Sequence, residues 1–445
     1  MTTAAPHLLG NFAPVADEAT LTDLSVTGTI PPDLTGWYLR NGPNPQQASS
    51  AHWFLGDGMV HGIRLEAGRA TAYRNRWVRT ESLRTGARLH DDQGNLDLTA
   101  GAANTHVVRH AGRTLALVES SYPYQLDMAP GCELDTLGVY DFQGRLRTPM
   151  TAHPKTCPTT GELHFFGYGA PDAPFLTYHR ADAAGQLTVS RPVEVGAPTM
   201  MHDFHLTSGH VVFMDLPLVF DLPKALAAEP GLPYTWDPGY GARLGVLDRA
   251  DPYSPVRWFD IAPCYVFHTL NAHEEGERLV LHAIRYDRLG DGVQVDAHGT
   301  LWRWTVNLST GTVREEQLDD RPAEFPRIDD RLAGLPSRYG HASATRTPGS
   351  QQRQGAVHRY DLHTGAVTSH LLGPGRTPGE AAFAPADDRA GGPGYLMAFV
   401  HDAATDRSDL EILDAEHLHT LATVHLPRRV PAGFHGNWLP DHTRA

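Results

Sequence analysis

Pro198-Thr199-Met200-Met201-His202-Asp203-Phe204-His205-Leu206-Thr207 is a polar segment that runs directly into the apolar stretch Val211-Val212-Phe213-Met214. A histidine just before a strand lies where a rigid scaffold can aim it. Three more segments have this setting: Ala152-His153-Pro154-Lys155, Phe267-His268-Thr269-Leu270-Asn271-Ala272 and Gly433-Phe434-His435-Gly436. The successive histidines are 49, 66 and 167 residues apart, too far for a zinc finger or a helical HExxH pair. Only a closed fold could bring such ligands to one point.

Composition favours a β protein. The 445 residues are 41% apolar and 20% charged, and they include 43 glycines and 34 prolines, which suits many short strands joined by turns. The net charge of -14 argues against a nucleic-acid partner, because phosphate binding needs clustered basic residues and the longest basic run is Arg428-Arg429. The three cysteines argue against a disulfide framework and for a reducing compartment.

Short apolar runs broken by glycine turns predict hairpins along the whole chain. Examples are residues 62–65 turning at 67–69, 105–108 turning at 111–113, 137–140 turning at 143–145, 301–306 turning at 310–312, and 395–400 followed by 410–413. No composition break marks a linker, so we predict one all-β domain over residues 1–445. Radial repetition of four-stranded blades accommodates this length, although no clean repeat of about 40 to 50 residues is visible. Residues 223–228 and 414–418 are the best candidates for short helices.

The N-terminal residues 1–7 lack the basic and apolar regions of a signal peptide, and no run of 18 apolar residues occurs. These features predict a cytoplasmic protein. Residues 216–236 mix apolar residues with prolines and are the one stretch we would suspect of a peripheral membrane contact, although a plain surface loop explains them more readily.

Four neutral imidazoles can hold a first-row metal and leave positions open for a small molecule, which suits oxygen chemistry. Each ligating histidine usually gives its other N–H to a carboxylate or carbonyl, so acidic partners are expected near such a site. Glu119, Glu324 and Glu380 are candidates, although each taken alone would more often be an ordinary edge or loop acid. The glycine-rich segments 36–45 and 54–59 do not fit the phosphate-binding patterns, and no GxSxG nucleophile elbow is present.

Several ordered motifs resemble the carotenoid cleavage oxygenase family across nearly the whole chain. They are residues 36–45, His52-Trp53-Phe54-Leu55-Gly56-Asp57-Gly58-Met59-Val60-His61, Ala152-His153-Pro154-Lys155, Met201-His202-Asp203-Phe204, Phe267-His268, Glu324-Phe325-Pro326-Arg327-Ile328 and Gly433-Phe434-His435-Gly436. The resemblance implies a seven-bladed β-propeller with a non-haem Fe(II) on its axis and capping loops that form a substrate tunnel.

Residue roles carry over by motif. The resemblance implies that the iron ligands are His153, His202, His268 and His435, and that Glu119, Glu324 and Glu380 orient three of these imidazoles. Thr105 is expected near an open iron site. Phe54 and Phe267 match aromatic positions that flank substrate in the family.

The family reaction adds O2 across a carbon-carbon double bond of an apolar alkene and leaves two carbonyl products. We predict a carotenoid or apocarotenoid substrate. In the stilbene-cleaving branch a lysine directly before the Glu119 position and an upstream tyrosine grip a phenol, but Val118 occupies that lysine position and no tyrosine lies between Arg79 and His106. Val118 also departs from the tryptophan frequent in the carotenoid branch, so cleavage of a stilbene or phenylpropene stays an alternative. A non-oxidative isomerase and a calcium-dependent propeller lactonase are less favoured alternatives, and no protein partner is implied.

Overall fold

Strands make up almost all of the regular structure in the computed structural model, which describes residues 5–91, 93–169, 172–227, 231–293, 295, 298–344 and 354–441. The chain divides into two compact units. The first unit contains residues 1–118, 123–140 and 338–445, and the second contains residues 119–122 and 141–337.

The first part of the first unit contains nine strands and one short helix. The strands are β1 (Ala19–Leu21), β2 (Ser25–Gly28), β3 (Gly36–Pro43), β4 (Gly58–Glu66), β5 (Arg69–Trp77), β6 (His106–His110), β7 (Arg113–Leu117), β8 (Tyr124–Asp127) and β9 (Asp135–Val139). Helix α1 (Glu81–Thr85) begins after Thr80, whose hydroxyl accepts a hydrogen bond from the Leu83 amide and so caps the first turn.

The second unit contains β10 to β24 and helix α2. Its strands are β10 (Lys155–Thr156), β11 (Leu163–Tyr168), β12 (Leu176–Ala181), β13 (Leu187–Val193), β14 (His205–Leu206), β15 (His210–Asp215), β16 (Leu218–Phe220), β17 (Tyr234–Trp236), β18 (Arg243–Asp248), β19 (Arg257–Asp260), β20 (Tyr265–Glu275), β21 (Arg278–Tyr286), β22 (Thr300–Asn307), β23 (Val313–Gln317) and β24 (Glu324–Arg327). Helix α2 spans Leu222–Leu226 and lies between β16 and β17.

The chain then returns to the first unit with nine further strands. They are β25 (Tyr339–Ala344), β26 (Gln354–Asp361), β27 (Val367–Pro374), β28 (Arg376–Pro378), β29 (Ala382–Pro385), β30 (Gly394–Asp402), β31 (Arg407–Asp414), β32 (Thr420–His425) and β33 (Gly436–Pro440). Four single turns of 3-10 helix complete the regular structure of the described residues: Pro6–Leu8, Gly10–Phe12, Trp53–Leu55 and Asp330–Leu332.

Antiparallel sheets, built mainly of strands that follow one another in the chain, repeat through both units. In the first unit the strand orders are β1-β5-β4-β3-β33, β6-β7-β8-β9 and β2-β32-β31-β30-β28, and β25, β26 and β27 form a further sheet. In the second unit they are β10-β11-β12-β13, β14-β15-β18-β19 and β20-β21-β22-β23, with β16 and β17 forming a small separate pair. In the described residues, the first unit thus has four large sheets and the second unit has three. These seven sheets correspond to the blades of a seven-bladed β-propeller. The predicted fold class is confirmed.

Strand β33, the last strand of the described residues, belongs to the same sheet as β1, β3, β4 and β5. Strand β33 pairs with β3, in the register Trp37 with Leu439 and Arg40 with Gly436. This pairing satisfies backbone groups that would otherwise form an open sheet edge. Because His435 directly precedes β33, the pairing also fixes the position of that histidine.

Most predicted hairpins are present, including β4 with β5, β6 with β7, β22 with β23 and β30 with β31. Two local predictions were wrong. The turn predicted at residues 143–145 is present, but no strand of the described residues pairs with β9 after it, because β9 is the last strand of its sheet. Residues 414–418 form a turn and not a helix, since Leu418 has φ 57 and so leaves the helical path after a single turn. The other helix candidate corresponds to α2, and its last residue, Ala228, lies outside the described residues.

Candidate metal centre

Three of the four predicted ligands lie in the second unit, each beside the strand that begins a sheet. His153 and His202 lie two and three residues before β10 and β14, and His268 lies in β20. The register of β20 against β21 shifts between Val266 and Thr269, so His268 occupies an irregular part of the strand. Such irregularities re-aim a side chain and are common beside active sites.

The rings of these three histidines converge. Their centroids are 4.6 Å apart for His153 and His202, 4.9 Å for His153 and His268, and 5.2 Å for His202 and His268. The Nε2 atoms of His153 and His202 are 3.0 Å apart. Two nitrogens at about 2.1 Å from one metal ion, at a right angle, would be about 3.0 Å apart. The spacing therefore fits two neighbouring ligands of a single ion.

A carboxylate lies beside the Nδ1 atom of two of these rings, those of His202 and His268. His202 Nδ1 lies 2.6 Å from Glu119 Oε2, and His268 Nδ1 lies 2.5 Å from Glu324 Oε2. A carboxylate on Nδ1 fixes the tautomer and leaves Nε2 to bind a metal. Burial by itself lowers the pKa of His202, but the nearby carboxylate of Glu119 outweighs burial and raises that pKa.

The fourth predicted ligand, His435, lies in the first unit and has its own carboxylate. Its Nδ1 atom is 3.1 Å from Glu380 Oε1, and Glu380 Oε2 accepts the Gly436 amide at 2.6 Å. Both side chains are almost completely buried. The His435 backbone is fixed as well, because its amide donates to the Thr105 carbonyl and its carbonyl accepts from the Asn41 amide. The three acids thus contact three different imidazoles.

Two tyrosines in the second unit extend the histidine-carboxylate pairs. The Tyr286 hydroxyl donates to Glu324 Oε1 at 3.0 Å, and the charge of Glu119 acts on the buried Tyr168. Burial, followed by the nearby carboxylate, raises the pKa of both phenols well above its ordinary value, so both remain proton donors. Sequence reasoning missed both residues. Each ends a buried strand, β21 or β11, and that position was the only available signal.

The remaining predicted residues lie beside these histidines. Thr105 is buried in the first unit and contacts His435 through its backbone, while its hydroxyl donates to Asn104 Oδ1. Phe54 packs edge-on against Phe434, the neighbour of His435, with centroids 5.5 Å apart. In the second unit Phe267 packs edge-on against His202, with centroids 5.5 Å apart.

Val118, the last residue before Glu119 in the sequence, is 7% exposed. An aliphatic side chain that is this buried offers no hydrogen bond to a polar ligand.

Comparison with known proteins identifies the family. The family model described as retinal pigment epithelial membrane protein matches residues 12–440. A carotenoid cleavage oxygenase of Mycobacterium tuberculosis is 41% identical to the chain, over 98% of this chain and 97% of its own length. The chain belongs to the carotenoid cleavage oxygenase family. It is therefore an oxygenase, as the resemblance implied.

Solved structures of the family match the fold over nearly its full length. The lignostilbene dioxygenase of Pseudomonas brassicacearum has a TM-score of 0.87 and 29% identity, with 98% of each chain covered. The cobalt-substituted apocarotenoid oxygenase of Synechocystis has a TM-score of 0.83 and 26% identity, with 96% of this chain and 97% of that chain covered. In keeping with a metal-dependent oxygenase family, His153 and His268 in the second unit are buried histidines whose ring nitrogens are suited to a metal ion, and so is His435 in the first unit.

Within the described residues, the helices are all too short or too polar to cross a bilayer.

Proposed function

We propose that this oxygenase binds one Fe(II) through His153, His202, His268 and His435 and cleaves a carbon-carbon double bond of a carotenoid or apocarotenoid with O2. One double bond and one O2 give two carbonyl groups, so the products are aldehydes or ketones and no external electron donor is needed. The observation that carries the proposal is the convergence of His153, His202 and His268 with Glu119 and Glu324 on Nδ1.

When bound, Fe(II) supplies the redox chemistry with O2 that alkene cleavage requires. The protein residues hold and orient the ligands. Glu119, Glu324 and Glu380 keep three imidazoles in one tautomer, with Nε2 available to the metal. Because the ligands are neutral, the ion keeps its full charge, and four ligands leave coordination positions open for a small molecule. We propose that Thr105 lies beside such an open position.

Apolar surroundings favour a polyene substrate. Phe267 and Phe54 pack against His202 and against the neighbour of His435, and buried Val118 stands where the stilbene-cleaving branch has a lysine. Burial of apolar surface stabilises a bound polyene by about 25 cal/mol per Å². A pocket that lacks a partner for a phenol hydroxyl leaves that hydroxyl without a hydrogen bond, which costs binding energy.

Cleavage of a stilbene or phenylpropene is the second candidate. It is favoured by the structural match to a lignostilbene dioxygenase, whose TM-score exceeds that of the apocarotenoid oxygenase. The two candidate substrates require different pockets. A phenol requires a hydrogen-bond partner for its hydroxyl, whereas a polyene requires a long apolar surface.

Product analysis tests the proposal. Iron-loaded protein should be incubated under oxygen with a C27 or C30 apocarotenal, resveratrol and isoeugenol, and kcat/KM should be compared after the products are identified. We expect carbonyl products from the apocarotenal and the largest kcat/KM for it. A clear preference for either phenol would select the second candidate. Isomerised products that form equally well without oxygen would select an isomerase and overturn the oxygenase proposal.

We further propose a cytoplasmic protein that contacts membranes peripherally, because carotenoids partition into bilayers. Helix α2 exposes two leucines one turn apart, Leu222 at 50% and Leu226 at 79%. Exposed apolar side chains of this kind can insert into the boundary between headgroups and acyl chains. Flotation with phosphatidylcholine vesicles, wild type against the Leu222→Ser and Leu226→Ser double variant, tests the contact. Equal flotation of both proteins would contradict it.

A further inference from the structure

The three histidine-bearing segments of the second unit share one carboxylate. Asp203 directly follows His202, and its Oδ1 lies 2.8 Å from Lys155 Nζ. Its Oδ2 accepts both the amide and the hydroxyl of Thr269, at 2.8 Å and 2.9 Å. Lys155 lies two residues after His153, and Thr269 directly follows His268. Each of the three segments therefore has one residue in this cluster.

The carboxylate at the centre of the cluster is buried, and Lys155 is partly exposed. The Asp203 side chain is 2% exposed and that of Lys155 is 23% exposed. The Lys155 ammonium and the amide and hydroxyl of Thr269 together direct three donors at this one carboxylate. Hydrogen bonds to a charged group are roughly twice as strong as neutral ones. Removing one partner of a buried pair leaves a charge uncompensated, so the segments can separate only at high cost.

Two further contacts restrict the backbone and the side chains around Asp203. The Phe204 amide also donates to Asp203 Oδ1, at 2.7 Å, which fixes the chain on the other side of Asp203. Lys155 Nζ lies 5.9 Å from the centre of the Phe204 ring, so the ammonium has a second favourable contact. If one of the three segments is displaced, a bond of Asp203 must break. The histidine of that segment moves as well, because it lies only one or two residues from the cluster.

We propose that Asp203, together with Lys155 and Thr269, is a positioning residue that holds His153, His202 and His268 at the spacing one metal ion requires. The inference rests on the proposed function, since it assigns the cluster a role at that metal site. It differs from the role of Glu119 and Glu324, which orient individual rings. The hydrogen bonds of Asp203 go to Lys155, Thr269 and Phe204 and not to an imidazole, so Asp203 sets the distances between the segments that carry the histidines.

Cobalt(II) alone is a suitable probe, because its visible absorption reports the geometry of its ligands without any turnover. We would titrate wild type and the Asp203→Asn, Lys155→Met and Thr269→Val variants with Co(II) and record affinity and spectrum. Loss of an outer partner typically lowers metal affinity by about 10 to 100-fold. We expect a loss in that range and an altered spectrum for Asp203→Asn and Lys155→Met. We expect a smaller loss for Thr269→Val, which keeps the backbone bond, and recovery in Thr269→Ser.

Asp215→Asn is the matched control. Asp215 is also a buried aspartate of the second unit, with Arg243 at 2.9 Å and hydrogen bonds from the Tyr240 and Thr199 hydroxyls. We expect this variant to lower the Tm while the Co(II) spectrum stays as in wild type. If Asp203→Asn acted only through a general loss of stability, Asp203→Asn and Asp215→Asn would change the Co(II) spectrum alike.

The outcomes separate the two proposals. Wild-type protein that binds no Co(II) would overturn the proposed metal site and this inference together. Wild-type protein that binds Co(II), with an unchanged spectrum and affinity in Asp203→Asn and Lys155→Met, would overturn the positioning role alone. If Asp203→Asn does not fold, the Thr269→Val and Thr269→Ser variants decide. Co(II) spectra of both variants that equal the wild-type spectrum would overturn the positioning role.

Discussion

Two histidine-glutamate pairs in different units are held in different ways. In the second unit, Glu324 contacts His268 through one oxygen, which also accepts the Phe325 amide, and accepts a tyrosine hydroxyl on the other. In the first unit, Glu380 contacts His435 through one oxygen and accepts the Gly436 amide on the other. A hydroxyl can rotate to donate or accept, whereas a backbone amide can only donate. The first-unit pair is therefore the less adaptable of the two.

The largest effect should follow removal of a ligand, which tests whether both units contribute to the metal site. His202→Ala, His268→Ala and His435→Ala should each lose bound iron and turnover, because each substitution removes one of the four proposed ligands. Metal analysis and product formation check this. His205→Ala is the control, since this buried histidine lies near His202 but is not a predicted ligand, and it should keep its iron. Full iron occupancy in the ligand variants would refute the assignment.

Amide substitution of the acids should separate the two units. Glu380→Gln places an NH2 group against either the Gly436 amide or His435 Nδ1, where only an acceptor fits, so a loss near 100-fold in activity is expected, at the upper end of the ~10 to 100-fold typical of such partners. Glu324→Gln should lose nearer to 10-fold, because its NH2 group can face the Tyr286 hydroxyl. Steady-state kcat/KM with iron content measured in parallel is the readout. Equal losses would show that the Tyr286 contact does not matter.

The segment before β33 provides a backbone test in the first unit. A Cβ at Gly433 would collide with the buried Arg40 guanidinium, so Gly433→Ala should lower the free energy of unfolding by about 1 to 3 kcal/mol and weaken iron binding through His435. Gly379→Ala, beside Glu380, is the control, since its Cβ would meet only the Phe399 carbonyl oxygen at 3.7 Å. Denaturant unfolding compares the two. A Gly433→Ala variant as stable as Gly379→Ala would contradict the close approach.

The smallest effect should come from Tyr286→Phe, which removes one hydrogen bond to Glu324. A net contribution of about 1 kcal/mol predicts a loss of roughly fivefold in kcat/KM. Tyr178→Phe is the matched control, because this buried tyrosine bonds His164 instead, at 2.7 Å, and should leave kcat/KM unchanged. If Tyr286→Phe keeps wild-type kcat/KM, the contrast between the two units disappears.

Local patterns in the sequence were sufficient for the hairpins and for the setting of the four histidines. Alternation and glycine turns are local properties, so pairs such as β4 with β5 could be read directly. The turn at residues 414–418 was misread because Asp414 caps it as it would cap a helix, whereas the chain leaves the helical path at Leu418, where φ is 57.

The sequence by itself determined the all-β class, the family resemblance and the identity of the candidate ligands and acids. Only the tertiary structure decided which acid meets which histidine, because Glu119, Glu324 and Glu380 are 83, 56 and 55 residues from His202, His268 and His435. It also decided that Tyr286 supports Glu324 and that Asp203 joins the segments of His153 and His268. Such contacts depend on strand register, since a shift of one residue would turn each side chain to the opposite face of its sheet.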